Sequence, residues 1–354
     1  MPDLIVASDN LVLTPHGFME IEELSIDDQM LESRLSGGLE WKKAGFRRVS
    51  GRKTGVRLIT DRNEITIEKN VLLRVIRDDR MVSVKADKVQ MNDQLDMVFP
   101  GKQVNEVKPH PGTRRLDQNF SYLLGVMNNM VKSADGRAVI KIWGYPEDSP
   151  EFGQELVRRF LKVTGACDYG SVAFEEGARY SWWILPFQES TLTKSVGEFA
   201  SYLSQGAVPP AIRLGTQDSI VAYIAGIVDT NIQYDDRTKS FFLSLPNSKS
   251  RLRRFLLDYF SLIRIHGMLT KVIYPNCPFE TQTYVDMSEL VRGCNMPFAR
   301  TLCLESADEA PGDILNQTTV LPRIRSKVKR SIDHAWVIHS EPFWQPVISW
   351  LPLR

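Results

Sequence analysis

The sequence predicts an α+β protein of two domains. One is a mostly-β domain built from both ends of the chain, and the other is a pseudo-two-fold α/β domain between them. Three observations lead there. A helix–strand–helix module occurs twice in the middle of the chain, at an offset of about one hundred residues. Roughly the first hundred residues are rich in short alternating runs and echo themselves. A length of 354 residues suits two domains.

The module opens with Tyr122-Leu-Leu-Gly-Val-Met-Asn-Asn-Met130 and again with Tyr223-Ile-Ala-Gly-Ile-Val-Asp-Thr-Asn231. Each is an apolar run with a glycine in the middle. A polar turn follows, then a strand-like run, Ala138–Ile142 or Ser240–Leu245. Then comes an amphipathic helix, Leu156–Leu161 or Leu252–Leu257. A glycine inside a helix costs about 1 kcal/mol and needs a reason. Close approach of two helix backbones at Gly125 and Gly226 supplies one.

This repeat resembles the two halves of a LAGLIDADG homing endonuclease. Val208-Pro-Pro-Ala-Ile212 before the second copy and Leu262–Gly267 after it are similar to the family context. The resemblance implies two motif helices packed side by side, with curved sheets that straddle nucleic acid. It also implies an acidic residue at the eighth motif position to bind Mg²⁺. Here those positions are Met130 and Asn231. Magnesium favours hard oxygen ligands, chiefly carboxylates, which a thioether and a lone amide replace poorly. Asp229 stands two positions too early. No metal or other cofactor is expected.

The ends of the chain resemble a Hint domain, the fold of inteins and hedgehog autoprocessing domains. The residues that carry this are Asp9-Asn-Leu-Val-Leu-Thr14, Gly17, Ile21-Glu-Glu-Leu24 and Val84–Asp93. Leu24–Met30 lies over Val89–Leu95, as two pseudo-symmetric β subdomains would require. Where the family has glycine in these turns, the chain has Asp27 and Asn92, both tolerant of left-handed backbone. His334-Ala-Trp-Val337 is similar to a late family strand. The splicing residues do not match. The nucleophile position falls at about Ile5, and Ser8, the nearest hydroxyl, stands at a turn. The Thr-x-x-His motif reads Thr66-Ile-Glu-Lys69, with lysine for histidine, and no His-Asn dipeptide occurs. The resemblance thus implies an intein-like protein in which residues 1–110 and 318–354 form the Hint-like domain. Residues 111–317 form the inserted one, with repeats at about 117–205 and 206–305. Met1 stands almost at the start of the Hint-like pattern, so a free-standing protein is expected, of a kind suited to phage and microbial genomes.

No apolar run is long enough to cross a membrane, and no signal peptide is visible, so a cytoplasmic protein is expected. Cys167, Cys277, Cys294 and Cys303 are widely spaced and expected to be reduced. Cys294, Cys303 and His266 offer zinc-ligand types without a zinc-site spacing. The net charge is only +1, which argues against a large nucleic-acid footprint. The cations nevertheless cluster. Lys42, Lys43, Arg47, Arg48, Arg52 and Lys53 form one group, and Arg251, Arg253 and Arg254 a second. Arg323, Arg325, Lys327, Lys329 and Arg330 form a third, whose alternation with Ile324, Ser326 and Val328 sets cations along one strand face. Trp182, beside Trp183, offers a base-stacking surface.

Together these features point to a catalytically inactive nucleic-acid-binding protein derived from an intein and homing endonuclease, with RNA slightly favoured over DNA. Two alternatives stand beside it. The first is a structural or docking subunit of a larger complex, using the apolar tail Phe343–Leu351 as its protein contact. The second is a residual homing endonuclease. Pro342, Pro346 and Pro352 are expected to hold that tail to sheet edges or irregular structure.

Overall fold

In the computed structural model the chain divides into two compact units. One joins Met1–Gly112, Arg251–Val285 and Pro311–Arg354, and the other joins Thr113–Ser250 and Asp286–Ala310. The structure describes residues 4–34, 38–43, 45–60, 63–96, 98, 108–128, 131–132, 137–144, 158, 173–175, 181–235, 240–246, 250–262, 270–272, 282–286, 323–339, 344–348 and 351–353.

The first unit opens with eleven strands: β1 (Leu4–Ala7), β2 (Leu11–Thr14), β3 (Gly17–Glu20), β4 (Gln29–Arg34), β5 (Leu39–Lys43), β6 (Gly45–Val49), β7 (Lys53–Thr60), β8 (Glu64–Glu68), β9 (Leu72–Arg77), β10 (Arg80–Lys85) and β11 (Gln94–Leu95). Many are rich in β-branched and other apolar residues, which favour strands. In β8, Ile65 and Ile67 share one face and are buried to 1% and 0% exposure. The β9–β10 hairpin turns on Asp78 and Asp79, with φ of 50° and 58°, as a two-residue I′ turn requires.

The sequence echo is a structural repeat. Ile21–Glu23 and Ala86–Lys88 are both single 3₁₀ turns. Each follows a strand and leads through a second turn into β4 or β11. In each copy an aspartate closes the turn. Ser25 N–H donates to Asp28 Oδ2 at 2.7 Å, and Gln90 N–H donates to Asp93 Oδ2 at 2.7 Å. Leu24 and Val89 anchor the equivalent apolar position. Asn92 takes the left-handed φ of 69°, whereas Asp27 does not, so only one of the two expected replacements uses that freedom.

The second unit contains α1 (Gln118–Met127), β12 (Val131–Lys132), β13 (Arg137–Gly144), β14 (Ala173–Glu175) and β15 (Ser181–Gln188). It continues with α2 (Glu189–Val196), α3 (Ala200–Ser204), α4 (Pro210–Arg213), α5 (Gln217–Asn231), β16 (Ile232–Asp235) and β17 (Ser240–Pro246). Both motif copies are helices that run into an antiparallel hairpin, β12–β13 after α1 and β16–β17 after α5. Asp117 caps α1, its side chain accepting from Phe120 N–H at 2.9 Å. Strands β12-β13-β15-β14 form one sheet.

The chain then returns to the first unit through α6 (Ser250–Leu262), β18 (Thr270–Val272), β19 (Gln282–Asp286), β20 (Ile324–Ile332), β21 (Ala335–His339), β22 (Trp344–Ile348) and β23 (Leu351–Pro352). Of these, β20 to β23 complete the early sheets. One sheet has the order β20-β7-β8-β1-β21-β6, and another β3-β2-β22-β4-β5 with β23 on β22. The described part of the tail is therefore packed into a sheet. Val347, Ile348, Leu351 and Leu353 are buried, and β22 lies inside its sheet. Pro346 is tolerated there, against the expectation of an edge. Pairing with β4 ends at Pro346, and the strand passes to β2 at Ile348, so the missing N–H falls where one ladder gives way to the next.

Candidate nucleic-acid interface

The centre of the second unit is the α1–α5 pair. A Cβ on Gly125 would collide with the Tyr223 carbonyl oxygen, and one on Gly226 with the Tyr122 carbonyl oxygen. Glycine is thus required at both positions for the backbones to touch. Around this interface the polar groups pair reciprocally. Tyr122 O–H donates to Asp229 Oδ2 at 2.8 Å, and Asn128 Nδ2 donates to the Tyr223 hydroxyl at 2.8 Å. Burial pushes the Tyr223 hydroxyl well above its usual range, so it stays protonated. Each motif tyrosine therefore meets a polar side chain near the end of the other helix. Asn231 ends α5 buried, its Nδ2 turned back onto the Ile227 carbonyl and Thr230 Oγ1, each at 2.9 Å. Met130 lies outside the described residues.

In the first unit, Ile5 sits half-buried in β1 opposite Val337, and Lys69 is exposed in the turn after β8. Asn10 holds the backbone of Thr66, accepting its N–H at 3.0 Å. Ser8 is buried, and its N–H donates to the His334 carbonyl at 3.0 Å.

The second cationic cluster does not face solvent. Arg253 and Arg254 are fully buried. Arg253 Nη2 lies 2.7 Å from Glu64 Oε2, Arg57 Nε lies 2.7 Å from Glu64 Oε1, and Arg254 lies 3.7 Å from the same carboxylate. Arg254 also donates to the Asp9 carbonyl and sits 3.4 Å from its Oδ1. Burial raises the Glu64 carboxyl, but Arg253, Arg57 and Arg254 hold it at about 2. The expectation that this helix offers Arg253 and Arg254 to phosphate is corrected. Leu252–Tyr259 is buried on every side, and a charge buried this deeply needs a paired carboxylate. Arg251 is half-buried near Glu20 and Glu22, at 3.6 and 3.9 Å. The sequence carried a signal for this lock only in Glu64, a charge at the start of an apolar strand.

The third cluster forms most of β20, at one end of the six-stranded sheet. Arg323, Arg325, Lys327, Lys329 and Arg330 are exposed. The expected even row is broken, because the register shifts between Ile324 and Ser326 and leaves Arg325 outside the ladder. Lys327 and Lys329 stay one strand period apart, opposite Leu58 and Val56, while Arg330 lies opposite Gly55 on the other face. The Lys327 ammonium also donates to the Asp87 and Val89 carbonyls, at 3.1 and 2.6 Å.

The first cluster is divided between β5 of the sheet that holds β22, β6 at the far end of the six-stranded sheet, and the start of β7 beside β20. Lys42 and Lys43 lie on β5, with Lys43 3.0 Å from Asp27. Arg47 and Arg48 lie on β6, which ends the sheet, and are exposed. Arg52 Nε donates to Asp333 Oδ1 at 2.8 Å, and Lys53 opposes Ile332. The clusters at 42–53 and 323–330 thus belong to one unit, and Arg48 and Arg52 of the first reach His334 and Asp333 in the turn that joins β20 to β21. Trp182 lies on β15 opposite Trp143 in the ladder, and its side chain lies outside the described residues. So do all four cysteines and His266. Among the described residues no three His, Cys, Asp or Glu gather to hold a metal, and no helix is long and apolar enough to cross a membrane.

No protein-family model matches the chain, and no curated protein matches it. Solved structures do. The crystal structure of I-DmoI in complex with DNA and Mn matches at 13% identity and a TM-score of 0.30, covering 48% of this chain and 89% of that chain. Mesophilic variants of the homing endonuclease I-DmoI match at 13% identity and a TM-score of 0.30, over 48% of this chain and 88% of theirs. The N-terminal LAGLIDADG domain of DUF199/WhiA matches at 11% identity and a TM-score of 0.28, over 55% of this chain and 86% of that chain.

Proposed function

We propose that the protein binds nucleic acid without cutting it, as a descendant of an intein that carried a homing endonuclease, with RNA slightly favoured over DNA. The observation that carries this is β20, an end strand that, with the residue before it, exposes Arg323, Arg325, Lys329 and Arg330. Such a strand neutralises backbone phosphates without reading bases. The motif helices support the non-cutting part of the reading. Asp229 and Asn128 are engaged by the tyrosine of the facing helix, and the amide that ends α5 is folded back on its own helix. Lys69 in place of histidine supports loss of splicing in the same way.

A polarisation titration tests the reading with single-stranded RNA, single-stranded DNA and duplex DNA, at low and near-physiological salt with EDTA present. Binding that weakens with salt is the expected result. No binding to any of the three at low salt would reject it. The same substrates incubated with Mg²⁺ or Mn²⁺ should stay intact, and cut products would restore the endonuclease reading.

A further inference from the structure

The six-stranded sheet ends opposite β20 in β6, whose sequence is Gly-Phe-Arg-Arg-Val. Alternation sends Phe46 and Arg48 to one face of that strand and Arg47 and Val49 to the other. On the first face Phe46 meets Trp336 of β21 edge to face, with ring centroids 5.9 Å apart and planes at 60°. Arg48 lies directly opposite Trp336 in the ladder. Its Nη2 donates to His334 Nδ1 at 2.9 Å. The nearby Asp333 carboxylate is engaged by Arg52. Phe46 and Trp336 are half-buried, whereas Arg48 and His334 are exposed.

Two half-buried aromatic rings, with a guanidinium across the ladder whose partner is an imidazole nitrogen, combine the two elements that bind unpaired nucleotides. An aromatic face stacks a base whatever its identity, and a cation beside it meets the phosphate. A duplex keeps its base faces stacked inside, so only an unpaired strand offers both groups at once. The small net charge of +1 fits such a partner better than a wrapped duplex, because stacking replaces part of the phosphate binding.

We infer that Phe46, Arg48, His334 and Trp336 form a platform for an unpaired nucleotide strand, with a base on the open part of Trp336 and a phosphate at Arg48. The inference rests on the nucleic-acid-binding reading and specifies where and in what form the strand is held. Substitution of Trp336 tests it, using unpaired RNA and unpaired DNA of one sequence, about 12 nucleotides long, and the matching duplex. Trp336→Ala should weaken single-strand binding by about 5- to 150-fold. Trp336→Phe should keep most of the affinity, Arg48→Gln should weaken it, and duplex affinity should not move. The difference between the RNA and DNA arms identifies which strand is preferred. A Trp336→Ala protein that melts like the wild type and binds single strands equally well would overturn the platform. If that variant does not fold, Arg48→Gln and photocrosslinking of the wild type with 4-thiouridine RNA decide. Adducts on the peptide holding Trp336 support the platform, and adducts confined to other peptides overturn it. If the wild type binds and only changes in β20 weaken it, the function stands and the platform falls. If the wild type binds nothing, both fall.

Discussion

Glu64 receives three guanidinium groups in a space closed to water, and this gives the first unit one acid-sensitive component. Its carboxyl titrates at about 2 in the fold, against an ordinary 4.5. A depressed folded value means that its contribution is complete above about 4.5 and is lost as pH falls toward about 2. The urea midpoint of the wild type should therefore fall across that window, whereas Glu64→Gln should lack this component. At neutral pH the variant should be about 3–5 kcal/mol less stable, because it strands buried arginines. Equal midpoints at neutral pH would show that the carboxylate holds nothing. In the second unit, Tyr122→Phe removes the donor to a buried carboxylate oxygen and should cost about 1–3 kcal/mol. Tyr223→Phe should cost about as much through Asn128, because the two hydrogen bonds are related by the repeat. A chemical-denaturation series on both variants checks this, and destabilisation in only one of them would break the equivalence.

Among elements, the α1–α5 pair depends on two glycines. Gly125→Ala puts a methyl group into the Tyr223 carbonyl, backbone against backbone, where no side chain can give way. It should cost at least about 1–3 kcal/mol, read as a lower denaturation midpoint. An alanine variant as stable as the wild type would mean that the helices do not touch there. The end strand β20 makes a separate prediction. Changing Arg323, Arg325, Lys329 and Arg330 to Gln should weaken binding and leave the circular dichroism spectrum intact. The slope of log affinity against log salt should shrink by about 0.7 for each phosphate that a single strand no longer has neutralised. An unchanged slope would take β20 out of the interface.

At the scale of the whole molecule, the first unit closes only when the end of the chain arrives. Strands β20 and β21 pair with β7, β1 and β6, and β22 joins β2 to β4. A chain stopped after His339 lacks β22 and leaves β2 and β4 without their shared neighbour. It should lose the cooperative unfolding transition of the first unit, followed by near-ultraviolet circular dichroism. Retention of that transition would mean that β22 is dispensable. The same closure explains why Arg251–Val285 groups with the chain ends. The ion pairs of α6 run to Asp9, Glu20 and Glu64, all within the early β-rich segment.

Local rules made several features readable from sequence alone. Strand-like runs marked β13 and β17, the tandem echo marked the matching turns that lead into β4 and β11, and mid-helix glycine forecast the backbone approach of α1 to α5. These depend on residues a few positions apart or on a pattern repeated along the chain. Tertiary structure alone decided which charges meet water. Arg253 and Arg254 read like Arg323 and Arg325 in sequence, yet one pair is sealed against Glu64 and Asp9 while the other is exposed at the start of β20. It also placed Trp336 across from Arg48, and the proline-bearing tail inside a sheet. Each of these outcomes depends on partners far away in the chain, and a side chain's type and spacing do not carry the identity of a distant neighbour.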